Sequence, residues 1–282
     1  MIRKISFALV TLLLTSFVSF SQQLQMPQAS PSSKISQQFG LSVVTVDYSR
    51  PSVKGRKIFG ELVPFGQIWR TGANSATQVN FSTDVTISGQ KVPAGTYALY
   101  AIPEKSQWTI ILSKDPKLWG AIGYNQADDQ ARFTVPTSKA SKKVETFEIG
   151  FNSITDNSVV AFVKWENTQA EFKIQTEVDP IVMAEIQKLV IDANSTDPAL
   201  LFQAASYYFT TSKDLNQAYN WVKQSTDSDP KYWTLHLRAK IENALGMKTE
   251  AVDTATQSKA LAEEGGNPDY VALNERLIDS IK

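Results

Sequence analysis

A single change of period divides this chain. From about residue 40 to 178, apolar residues recur every second position between glycine and proline turns. From 180 onward they recur every third or fourth position behind Asp-Pro and Asn-Pro dipeptides. Period two marks half-buried strands and a period near 3.6 marks helices facing a core. The chain is therefore expected to build a sheet first and a helical region second. Glycine usage follows the same border: ten of the 13 glycines lie between Gly40 and Gly150, and only Gly246, Gly265 and Gly266 follow.

In the first region Val44, Val46 and Tyr48 alternate with Thr45, Asp47 and Ser49. Val79 and Phe81 lead to Val85 and Ile87, then to a Ser88-Gly89 turn, and Pro93-Ala94-Gly95 is a second turn. Tyr97, Leu99 and Ala101 follow, with both faces of that segment apolar enough to be buried, then Trp108, Ile110 and Leu112. Phe147, Ile149 and Phe151 precede Val159 to Trp165, and Phe172 and Ile174 close the series after an expected Asn167-Thr168 hairpin turn. Eight or nine short strands with close turns predict an antiparallel, jelly-roll-like β-sandwich over residues 36–178. Lys139, Lys142 and Lys143 read as a solvated loop.

Asp179-Pro180, Asp197-Pro198, Asp229-Pro230 and Asn267-Pro268 each pair a capping side chain with a proline that has no N–H to leave unbonded. Behind the first, Val182, Ile186, Leu189 and Val190 share a helical face, and behind the second Leu201, Phe202, Ala205 and Phe209 do. Further helices are expected over 214–226, 231–245, 248–263 and from 268 to near the C-terminus. An all-α domain of helical hairpins thus covers 180–282. Ala218 and Ala251, 33 residues apart, each fall one turn into the second helix of a pair. This spacing resembles tetratricopeptide repeats, with Leu235 and Glu242 departing from the usual aromatic residues.

The N-terminus opens with Arg3 and Lys4 before a mostly apolar run from Ile5 to Phe20, and Ser19 and Ser21 are small residues at the cleavage-specifying positions. This predicts a secretory signal peptide over 1–21, and an exported protein, periplasmic or extracellular. A flexible leader is expected over 22–35, with no membrane span after cleavage. Removal of Arg3 and Lys4 turns a balance of 28 basic and 28 acidic side chains into a net charge of −2. No global basic excess recruits nucleic acid.

The run Asp47-Tyr48-Ser49-Arg50-Pro51, Lys54-Gly55-Arg56, Ile58-Phe59-Gly60, Leu62-Val63-Pro64 and Trp69-Arg70-Thr71-Gly72-Ala73-Asn74 resembles an exported Bacteroidetes family, domain of unknown function 2911. Pro93-Ala94-Gly95-Thr96-Tyr97 and Trp119-Gly120 add to the likeness, which covers roughly 30–178. It implies export from such a bacterium and carries no activity with it.

The absence of cysteine removes thiol nucleophiles, thiolate metal sites and lipid attachment at a cysteine, and a single histidine, His236, removes histidine clusters. His236 lies in the helical region and is expected to be structural. No metal or cofactor is expected. Residues 50–74 hold the strongest candidate site. Arg50, Arg56 and Arg70 supply forked donors for carboxylate or phosphate, Trp69 a flat face, and Thr71 and Asn74 polar contacts. Trp119 and Tyr124 lie on a second loop that could close over the first. The leading expectation is a non-catalytic module that binds a small acidic or sugar-like ligand, or an envelope protein. One alternative is a glycan hydrolase using two of Asp47, Glu61, Asp84, Glu104, Glu145 and Glu148. Another is a structural assembly partner acting through the helical hairpins.

Overall fold

The computed structural model describes residue 24 and residues 26–281. The expected signal peptide, 1–21, lies outside the described residues. Among the described residues, nine strands are followed by six α-helices: β1 Ser32–Phe39, β2 Ser42–Ser49, β3 Thr77–Phe81, β4 Val85–Ile87, β5 Gln90–Val92, β6 Gly95–Pro103, β7 Gln107–Ser113, β8 Asp129–Asn152 and β9 Ser158–Gln175, then α1 Asp179–Ile186, α2 Pro198–Thr210, α3 Leu215–Ser228, α4 Tyr232–Ala244, α5 Lys248–Glu264 and α6 Pro268–Ile281. The strands form one open antiparallel sheet in the order β1-β2-β3-β6-β7-β8-β9-β4-β5.

Period two is carried through to burial. Val44, Val46 and Tyr48 of β2 are buried while Thr45 and Asp47 are not. At Ser88-Gly89 both residues take positive φ, 49° and 78°, the turn that matches the twist of a two-residue hairpin between β4 and β5. The leader is shorter than expected, because residues 32–35 already pair with β2.

Two segments read as turns are strand. Lys139, Lys142 and Lys143 belong to the 24-residue β8. Asn167 and Thr168 belong to the 18-residue β9. The register of this pair shifts between Lys139 and Val144 and again between Val144 and Glu148, and Glu166 opposite takes φ 53°. A bulge of this kind absorbs extra residues without ending the strand, so polar sequence there does not mean a loop.

The helix starts divide in the same way. Asp197 and Asn267 cap, accepting from the N–H groups of Ala199 at 2.8 Å and Tyr270 at 3.1 Å. Asp179 does not cap; it is already inside α1 and binds Lys213 at 2.7 Å and the Tyr207 hydroxyl. Asp229 terminates α3 and pairs with Lys231 at 2.8 Å, so α4 begins at Tyr232. A π-turn over Gln187–Asp192 rotates the face behind α1: Ile186 and Val190 are buried, whereas Leu189 stays exposed.

Two main cores result. One draws on residues from Phe39 to Ile174, the other on residues from Ile186 to Ile241. A third, smaller cluster of Ala76, Ala98, Tyr100 and Ile111 lies under Leu118, Ala121 and Tyr124. It explains why β6 is buried on both faces: the 114–128 loop covers the side turned away from the main core.

Candidate functional site

The 50–74 segment is an irregular strap tied to two strands. At its start Val53 donates to the Glu145 carbonyl and Phe147 to the Pro51 carbonyl, on β8. Near its end Trp69 and Ala101 exchange two main-chain hydrogen bonds of 2.8 and 2.9 Å, on β6. Between them Trp69 enters the core, where its ring stacks on Trp165 at 6.0 Å and meets Phe59, Trp108 and Phe147 edge-on. Its Nε1 donates to the Gly72 carbonyl. The open stacking face expected of Trp69 is therefore not offered: these rings surround it and only 8% of it is exposed.

Thr71 and Asn74 hold the strap, the first from the interior and the second from the surface. Thr71 is fully buried at φ 50°, an uncommon backbone region for a β-branched residue. It is held there by Thr77, whose hydroxyl donates to the Thr71 carbonyl at 2.6 Å. Asn74, at φ 59°, donates to Ser49 Oγ and the Ser30 carbonyl, and its own carbonyl accepts from Arg70. Strain of this kind costs on the order of 1–3 kcal/mol per residue and persists where surrounding bonds over-determine it.

The three arginines share a pattern. Arg50 Nε donates to the Phe147 carbonyl at 2.9 Å. Arg56 donates to the Val53 and Ser52 carbonyls at 3.0 and 2.6 Å. Arg70 Nη1 donates to the Asn74 carbonyl at 2.9 Å. Among the described residues, none of the three forms an ion pair with a carboxylate.

Two adjoining clefts open on the strap. The larger, about 590 Å³, lies between Leu62–Arg70 and Trp119–Ile122. The smaller, about 290 Å³, lies between the strap, the leader at Ala29 and Ser30, and Trp165. Leu62, Val63, Trp69 and Arg70 are common to both. Volumes in this range suit small molecules. Of the expected residues, Trp119 lines the larger cleft and Arg56 the smaller, while Trp69 and Arg70 line both. Arg50, Thr71, Asn74 and Tyr124 line neither. Tyr124 is held by Asp129 at 2.8 Å and by Arg132; burial first, and then the Asp129 bond, pushes its hydroxyl up to about 12. Asp129 in turn pairs with Arg132 at 2.8 Å.

Gly120 brings the two loops together. At φ 68°, a Cβ there would lie 2.6 Å from Arg70 Nη1, so the guanidinium rests against bare backbone. Leu62 and Ile122, exposed by 45% and 77% beside the larger cleft, are lining residues outside the set of candidates expected from the sequence. Their signal was bulky apolar character inside turn-rich, polar stretches.

Neither cleft is lined by an aspartate or glutamate. Glu61 pairs with Lys57, Asp84 accepts from the Ala94 N–H, and Glu145 accepts from the Lys54 N–H. These acids are dispersed as strap anchors and turn caps. Among the described residues no group of three histidine, aspartate or glutamate side chains is placed to hold a metal.

The family described as protein of unknown function DUF2911 matches residues 30–174, just over half of the chain. The chain belongs to this family. The matched span contains the strap, the lining of the larger cleft, that of the smaller cleft except Ala29, and all strands but the last residue of β9, so the arginine-lined surface is part of the DUF2911 domain itself. The six helices lie beyond it. No curated protein and no solved structure matches the chain.

Proposed function

We propose that this chain is an exported, non-catalytic binding module of a Bacteroidetes cell envelope, periplasmic or extracellular, which holds a small ligand at the 50–74 strap. The observation that carries the reading is Arg70. It stands on the wall shared by both clefts and has a main-chain carbonyl, not a carboxylate, as its partner. Arg70 is half-buried as a residue and its solvent-facing guanidinium has no carboxylate partner among the described residues, which favours an anionic or strongly hydrogen-bonding guest. The glycan-hydrolase alternative has no acid in either cleft to support it. Export rests on Arg3, Lys4 and the apolar run to Phe20.

For the architecture we read the sheet as two sandwich-like layers folded about β8. One core uniting Phe39 with Ile174, and the two hydrogen bonds of 3.1 Å between the Tyr48 hydroxyl and Ile149, support this. The helices read as tetratricopeptide-like hairpins. Ser225 Oγ binds the Pro198 carbonyl, and Ser258 Oγ, 33 residues later, binds the Tyr232 carbonyl in the next pair. Ser212 and Gly246 take positive φ at positions 34 apart. Exposed Ile181, Leu189 and Ile191 at the start of this region favour a second role as an assembly surface.

The direct test is a thermal-shift screen of residues 22–282 against glycans and organic anions. Stabilisation by a member of either class that is lost in Arg70→Gln supports the module. A library that leaves the wild-type melting point unchanged throughout contradicts it.

A further inference from the structure

The larger cleft has a lopsided chemistry that narrows its guest. Arg70 is the one charged residue of its lining, and Gln67 the one neutral side chain there with an amide. The rest is apolar or aromatic, with Leu62, Ile122 and the 62%-exposed Trp119 at its edge. A sugar subsite needs several directed partners for its hydroxyl groups, and a buried hydroxyl without a partner costs free energy. This cleft offers too few.

The guanidinium is also used asymmetrically. Nη1 donates to the Asn74 carbonyl, and a Cβ on Gly120 would lie 2.6 Å from Nη1, 3.5 Å from Cζ and 3.9 Å from Cδ, so the backbone of Gly120 faces that side of the group. The Nε and Nη2 donors share the opposite edge of the guanidinium plane. Among the described residues they have no acceptor. Two parallel N–H groups on one edge match the two oxygens of a carboxylate. A single cation balances a monoanion, whereas a phosphate dianion would call for a second cation in the lining.

Resting on the binding-module reading, we infer that this cleft binds an amphiphilic monocarboxylate: the carboxylate on the Nε–Nη2 edge of Arg70, and an apolar body against Leu62, Trp119 and Ile122. Charge specifies the head and apolar burial supplies the grip.

Decanoate, its neutral counterpart decanol, and maltotriose are titrated calorimetrically into the full mature chain. Decanoate is expected to saturate one site and to bind at least about tenfold more tightly than decanol. Arg70→Gln is expected to erase that preference, leaving decanoate no tighter than decanol. Arg70→Lys keeps the charge but loses the fork, and is expected to weaken decanoate several-fold; it also serves if the glutamine variant does not fold. Equal binding of decanoate and decanol by the wild type overturns the inference, as does a preference that survives both substitutions. Arg70-dependent binding of maltotriose without decanoate overturns the carboxylate class and leaves the binding module standing. Failure of all three probes overturns the inference, and the module falls with it only if the wider screen is also empty.

Discussion

The two halves of the molecule treat arginine in opposite ways. In the helical half Arg238 is tied to acids of its own chain: Nε binds the buried Glu242 at 2.7 Å, and Nη1 binds Asp227 and Thr226 at 3.0 and 3.1 Å. Burial would lower its pKa, but the hydrogen bond and charge of Glu242 more than offset this and the pKa is raised. In the sheet half Arg70 has one main-chain acceptor and lines two clefts. The first arrangement is a closed internal pair that positions helices. The second leaves charge and donors without a protein acceptor among the described residues. Arginine content alone would not separate them; the identity of each partner does.

The sharpest way to break the contrast is Arg238→Met. It strands Glu242, which is fully buried and already has one oxygen without a hydrogen bond. Removing one partner of a buried pair costs several kcal/mol, so a loss of about 3 kcal/mol in urea unfolding is expected. A loss under about 1 kcal/mol would put Arg238 in the same class as Arg70. Trp69→Ala tests the strap from its buried side. Removing a ring packed by Phe59, Trp108, Phe147 and Trp165 should cost about 3 kcal/mol or more. If stability is kept while binding is lost, Trp69 belongs to the site and not to the core.

These residues also show what sequence can and cannot reveal. Alternation in β2 was legible because burial of one face needs only local period two. Asp197 was legible as a cap because its bond closes within two residues. Asp229, in the same dipeptide context, serves Lys231 and the end of α3 instead. Only the neighbouring helices decide between the two roles. The burial of Trp69 was not legible, since its cage comes from Phe59, Trp108, Phe147 and Trp165 across the whole sheet half. Arg70, Trp119 and Arg56 could be singled out by type, but which of the candidates share a cleft depends on the Gly120 contact. The long β8 was hidden by its lysines, which a bulged strand tolerates on an exposed side.

A smaller effect concerns His236, half-buried in the helical half against Asn274 at 2.8 Å. Burial lowers its pKa below 6.5, with Lys240 adding to the effect and Asn274 opposing it. The unfolded chain therefore takes up this proton more readily. The stability that His236 contributes is intact above pH 6.5 and is lost as pH falls through the folded pKa. His236→Gln should flatten the fall in melting temperature between neutral and mildly acidic pH; an unchanged slope would assign that fall to other groups. Smallest of all, Trp119→Ala should alter stability by no more than about 0.5 kcal/mol, as its ring is 62% exposed, while weakening the ligand. A large loss of stability would make the second loop a structural brace.

If Arg70 serves an external partner as Arg238 serves acids of its own chain, one comparison shows it. Urea unfolding of the wild type and Arg70→Gln is followed with and without saturating decanoate. Without ligand the two proteins should differ by about 1 kcal/mol at most, the worth of one hydrogen bond to the Asn74 carbonyl. Decanoate should then stabilise the wild type and leave Arg70→Gln unmoved. A glutamine variant that loses several kcal/mol on its own, or that decanoate stabilises as fully as it does the wild type, would contradict the account.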